Sequence, residues 1–181
     1  MNQTDLTPFF GYGLLADDVF AGELFDRFSR PTEIEVAASG YKLVIVPKDE
    51  INSEAVRTDP KIPDNYKIYG LTPTGNEDDL VKGRLLYLSR RELGLVDMLD
   101  FGNNVFKTET VMYLGGVPIR SHVLRKPEIG IPVENGLRYN PYLNGDGLDA
   151  FDLAFELEEK YDLMHPRAAR EHQQLRRTKE R

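Results

Sequence analysis

The chain has 181 residues, 40% hydrophobic and 29% charged, with a formal net charge of −7, an ordinary make-up for one globular domain. It contains no cysteine, which excludes disulfides, thiolate chemistry and cysteine-ligated metals and fits a reducing, cytoplasmic setting. The charge is uneven: residues 167–181 carry six Lys/Arg against two Asp/Glu, leaving −11 on the rest, and an acidic body argues against nucleic acid as the main ligand because phosphates need a basic face.

The start shows neither a basic segment nor a continuous apolar run, and no stretch approaches the ~18 apolar residues of a membrane span, so neither secretion nor membrane insertion is expected. Phe9 and Phe10 run into Gly11-Tyr12-Gly13, then Leu14 and Leu15. Val19, Phe20, Leu24, Phe25 and Phe28 then recur at helical spacing, and Asp17 or Asp18 is placed to cap a helix from about Asp17 to Phe28. Pro31 stops it. Residues 32–47 alternate and then become continuously apolar from Leu43 to Val46, giving one or two strands joined near Ser39-Gly40. Four prolines mark residues 47–80 as an irregular excursion, with one short strand over 66–71.

Residues 80–89 read as a strand. Residues 89–102 read as a helix with Ser89 at its N-cap, Glu92 three positions on as a capping box, and Gly102 past its end. Leu93, Val96 and Leu99 or Leu95 supply its buried stripe. Residues 107–124 form two strands around Gly115-Gly116, a hairpin signal. A turn-rich stretch follows, and Asp149 caps a last helix whose Phe151, Ala154, Phe155, Leu157 and Tyr161 make an apolar face. The pattern predicts a mixed α/β or α+β domain over residues 1–165, followed by a charged helical tail over 166–181.

The histidines His122, His165 and His172 are scattered without metal-ligand spacing, so no metal site is expected. Residues 140–151 superficially match a calcium loop, but Tyr142 interrupts the ligand series and Phe151 stands where a bidentate acid belongs. The serines lack a nucleophile-elbow context. Residues 11–16 match G-x-G-x-x-A, with Glu33 or Glu35 about twenty residues on, where a dinucleotide-binding fold keeps an acid for the ribose. Against that alternative, only Phe9 and Phe10 precede the first glycine, and residues 103–125 fold back as a hairpin.

Taken together, Tyr12-Gly13-Leu14-Leu15, Gly40-Tyr41-Lys42-Leu43, Val81 to Tyr87 and Val96-Asp97-Met98-Leu99-Asp100-Phe101-Gly102 stand in an order that resembles the gamma-glutamylcyclotransferase-like family, over about residues 8–125. The resemblance implies a small, partly closed β-barrel flanked by helices, with a cavity at one mouth and no metal or other cofactor. It implies that the N–H groups of the turn formed by Tyr12, Gly13, Leu14 and Leu15 bind substrate oxygens, and that Asp100, at the family's glutamate position, moves a proton. The reaction it implies is intramolecular acyl transfer, in which a gamma-glutamyl amino group attacks its own side-chain carbonyl, closes 5-oxoproline and releases an amine or peptide. The partner is then a small gamma-glutamyl or other carboxylated molecule.

The chemistry calls for such parts independently: a carboxylate can take a proton from an ammonium and return it, and a glycine turn aims backbone donors at a developing oxyanion. Two departures from the family pattern count against activity, beside Phe106 and Thr108, which stand where relatives often have Tyr and Arg. Leu14 replaces a hydroxyl residue, and Asp100 is one methylene shorter than glutamate; a displacement of about 1 Å can cost ~100-fold in rate. The alternative function is therefore a non-catalytic module that keeps the cavity for a small ligand or partner protein. Structural roles stand beside the functional ones: Tyr12 packed with its hydroxyl satisfied, Asp100 solvated at a helix end, Asp97 on a helix surface, and Gly11 and Gly13 serving turn geometry alone.

Overall fold

The computed structural model describes residues 6–25, 34–51, 67–101, 107–133 and 150–179, with Thr58, Pro60 and Asp64. Strand β1 (Thr7–Gly11) leads through a 3-10 turn (Gly13–Ala16) into helix α1 (Asp18–Phe25). Asp17 accepts a 2.9 Å hydrogen bond from the Phe20 N–H, satisfying one of the donors a helix start leaves open. Four strands follow: β2 (Ile34–Ser39), β3 (Tyr41–Pro47), β4 (Lys67–Pro73) and β5 (Leu80–Leu88). Helix α2 (Arg90–Phe101) and the hairpin of β6 (Lys107–Leu114) and β7 (Val117–Leu124) come next. A two-residue strand β8 (Ile131–Pro132) and helices α3 (Ala150–Met164) and α4 (Pro166–Lys179) complete the described strands and α-helices.

The strands form a five-stranded sheet in the order β2-β5-β1-β7-β6 and a three-stranded sheet in the order β4-β3-β8. Alternation along β1 sends Phe9 and Phe10 to opposite faces of the larger sheet. Phe9, Leu86 and Leu88 pack under the helices with Phe20, Leu24 and Leu95. Phe10, Val81, Met112 and Ile119 pack on the other face with Tyr69 and Leu71 of β4. The expected mixed α/β architecture, a sheet-rich core with a few helices, is present. The ladders stay in two sheets, and among the described residues no strand pairing closes them into a barrel.

One expectation is revised, and two open readings are decided. The one or two strands read around Gly40 are two: β2 pairs with β5 while β3 pairs with β4, so the chain changes sheets at Gly40, whose φ of 81° permits the sharp turn. Phe155 is 66% exposed rather than part of the core. The glycine turn does not open a dinucleotide-binding unit, because β1 pairs antiparallel with β5, which separates it from β2, the strand after α1. Phe28, Gly102, Asp149, Phe151 and Ala154, and residues 140–149, lie outside the described residues or side chains.

Candidate functional site

The C-terminal end of β1 delivers Tyr12 to a point where three other segments meet. Asp100 comes from the last turn of α2, Lys107 is the first residue of β6, and His122 sits in β7. All four are nearly sealed, at 5%, 6%, 7% and 1% exposure in chain order. Lys107 Nζ donates to Asp100 Oδ1, and His122 Nδ1 lies 2.6 Å from Asp100 Oδ2, so both carboxylate oxygens are engaged. On its other edge the imidazole places Nε2 3.4 Å from Asp97 Oδ1, one helical turn before Asp100 and half-exposed. The Tyr12 hydroxyl donates to the His122 carbonyl at 2.8 Å, and the Lys107 ammonium stands 5.2 Å from the Tyr12 ring centroid. Phe9 meets the His122 ring edge-on, and Ser121 donates to the Phe10 carbonyl, fixing β7 against β1.

Burial works to raise the Asp100 pKa, but Lys107 and His122 outweigh it and hold the carboxyl below its ordinary value. Burial likewise works to lower the Lys107 pKa, and the Asp100 charge reverses this and holds the ammonium above the usual lysine range. The Tyr12 phenol is pushed up to about 12, chiefly by burial and against the pull of Lys107. At neutral pH the cluster is thus an ionised Asp–Lys pair with a neutral phenol beside it. Burial raises the pKa of Asp97 too, with His122 opposing.

The turn itself is tightly held. Gly13 has φ 58°, and a Cβ there would lie 2.9 Å from the Cβ of Tyr69, so both conformation and space require glycine. The Leu15 N–H is spent on the Tyr12 carbonyl and the Leu15 side chain is buried under the helices, while the Gly13 and Leu14 N–H groups precede the first 3-10 bond and have no acceptor within the turn. Tyr12 and Asp100, singled out from sequence, are both brought to the Lys107 ammonium. Lys107 and His122 were missed. His122 shares its strand phase with the exposed Arg120, and Lys107 opens a strand, so neither position gave a signal in the sequence.

Among the described residues no group of three or more His, Asp and Glu side chains is placed to hold a metal ion. A separate concavity of about 530 Å³ lies at the other end of β1, lined by Pro8, Tyr87, Leu114 and Val117 among others, away from the Asp100 cluster. Among the described residues no helix is long and apolar enough to cross a membrane.

No family model and no curated protein matches the sequence. Among solved structures, the chain is similar to uncharacterized protein loc79017 from Homo sapiens, at 13% identity over 85% of this chain and 87% of that one, with a TM-score of 0.50. It is also similar to a gamma-glutamyl cyclotransferase, at 12% identity over 85% of this chain and 87% of that one, with a TM-score of 0.51. A likeness at this identity is one of architecture, and the chain has the fold of gamma-glutamylcyclotransferase-like proteins.

Proposed function

We propose that this protein closes a gamma-glutamyl compound to 5-oxoproline and releases an amine or peptide, with Asp100 moving the proton and the Tyr12–Leu15 turn holding substrate oxygens. The observation that carries this reading is the convergence of Asp100 and Tyr12, 88 positions apart in the sequence, on the Lys107 ammonium. A buried Asp–Lys–His cluster gives little stability over well-packed apolar side chains, and perturbed titratable groups gather at functional sites. The fold supplies the scaffold on which a gamma-glutamyl cyclotransferase is built. A metabolite-sized substrate and a cysteine-free chain fit a cytoplasmic location.

The test is release of 5-oxoproline from a panel of gamma-glutamyl amines and dipeptides by the purified chain. Turnover that falls by ~100-fold or more in Asp100→Ala supports the assignment. Absence of 5-oxoproline with every compound contradicts it.

One feature favours a second reading, in which the site binds a small carboxylated ligand without turnover. Both Asp100 oxygens are already engaged, and a carboxyl held below its ordinary pKa is a weak base. Turnover requires the substrate ammonium to share or displace the Lys107 contact. Under the second reading, gamma-glutamyl ligands raise the melting temperature with no product formed.

A further inference from the structure

The cyclisation proposed above moves two protons from the attacking nitrogen to the departing one. The α-ammonium sheds one to become a nucleophile and a second once its bond to the side-chain carbonyl has formed. The departing nitrogen needs one to leave as an amine and takes another to end as an ammonium. A lone carboxylate carries one proton at a time. In this chain the carboxylate shares Oδ1 with a second proton-bearing group, Lys107 Nζ, which lies between Asp100 and the Tyr12 ring.

Resting on that reading, we infer that Lys107 is the acid that protonates the departing nitrogen while Asp100 is the base that strips the ammonium. Asp100 takes the first proton. The freed lone pair forms the N–C bond and the carbonyl π pair moves onto oxygen. As the tetrahedral intermediate collapses, the electron pair of the breaking C–N bond goes to the departing nitrogen, which takes a proton from Nζ. Asp100 hands its own proton to the neutral Lys107 amine and accepts the second proton from the new ring nitrogen. That proton follows the same route to the released amine, leaving carboxylate and ammonium as they began.

The pairing sets the order of events. Burial pulls Lys107 toward losing its proton, and the adjacent carboxylate charge is what prevents this. Once Asp100 carries the substrate's proton, that charge is gone, and an ammonium left in a buried site beside a neutral acid becomes a ready donor. Tyr12 is not the donor, because its O–H is committed to the His122 carbonyl.

Lys107→Arg separates this role from a structural one, since a guanidinium keeps the charge beside Asp100 but does not give up a proton. Turnover is compared on a gamma-glutamyl alkylamine, whose departing nitrogen depends on protonation, and on a gamma-glutamyl nitroanilide, whose departing nitrogen depends on it far less. The expected result is a loss of ~100-fold to ~10,000-fold on the alkylamine, with less than about tenfold on the nitroanilide. Equal loss on both, or none on either, overturns the role of Lys107 while leaving the cyclisation standing. Should the variant not fold, the unmodified protein decides on gamma-glutamyl substrates of graded leaving-amine basicity: a shallow dependence of rate on basicity supports the assignment and a steep one overturns it. No 5-oxoproline from the unmodified protein with any substrate overturns the cyclisation and the role of Lys107 together.

Discussion

Asp100 is buried and still ionised, because Lys107 and His122 together outweigh the burial that would keep it protonated. Its depressed pKa contributes stability that is present above the unfolded value of ~3.9 and lost as pH falls through the folded value. Lys107, with a raised pKa, contributes stability that is present below its unfolded value of ~10.4 and lost as pH rises through the folded one. Urea unfolding across pH should therefore show the pair's contribution complete between about pH 4 and about pH 10, with the acid-side slope reduced in Asp100→Asn. Breaking the pair from one side, by Asp100→Asn or Lys107→Met, strands a buried charge and should cost about 3–5 kcal/mol. The double variant should lose clearly less than the two single losses combined. Tyr12 was marked in the sequence by its glycine turn, and Asp100 by the motif order of the resemblance. Lys107 was not, because a lysine opening a strand reads as a solvated residue until the end of α2 is known to lie over it.

Helix α2 carries its start signal in the sequence, and the structure places both halves of it. The Ser89 N–H donates to Glu92 Oε2 at 2.6 Å, and the Glu92 N–H donates to Ser89 Oγ at 3.3 Å. Ser89→Ala should cost about 1 kcal/mol of unfolding free energy, and because this helix delivers Asp100, any loss of activity should accompany that fraying. On the same helix, a Cβ at Gly94 would lie 2.5 Å from Tyr161 Cε2. Gly94→Ala gains about 1 kcal/mol in helix propensity but overpacks the contact with α3, so the net should be a loss of about 1–2 kcal/mol by denaturant midpoint. The β6–β7 hairpin was equally legible, since Gly115 and Gly116 take the φ values of 57° and 82° that a tight turn demands. The change of sheet at Gly40 was not, because alternation tells which face a residue takes and not which strand it pairs with. Phe155 misled for a related reason: Tyr161 lies six residues on, about 240° around the helix, so burying Tyr161 turns Phe155 outward.

At the scale of the whole molecule, Asp100, Lys107 and His122 are buried together at the junction where β1, β6, β7 and the end of α2 meet. Composition and periodicity supplied the class of fold and most elements, since each rests on local spacing. The convergence of residues from four segments rests on tertiary packing; the resemblance in motif order suggested two of them, the Tyr12 turn and Asp100, and nothing suggested the other two. The architecture is shared with a gamma-glutamyl cyclotransferase, and in this chain Asp100 is paired with Lys107. The measurement that tests this account most directly is a crystal structure with 5-oxoproline, the proposed product, bound. The account predicts the product's carboxylate on the Gly13 and Leu14 N–H groups and its ring nitrogen within hydrogen-bond reach of Asp100 or Lys107. Product bound away from this junction, with Asp100 still closed off by Lys107 and His122, would contradict it.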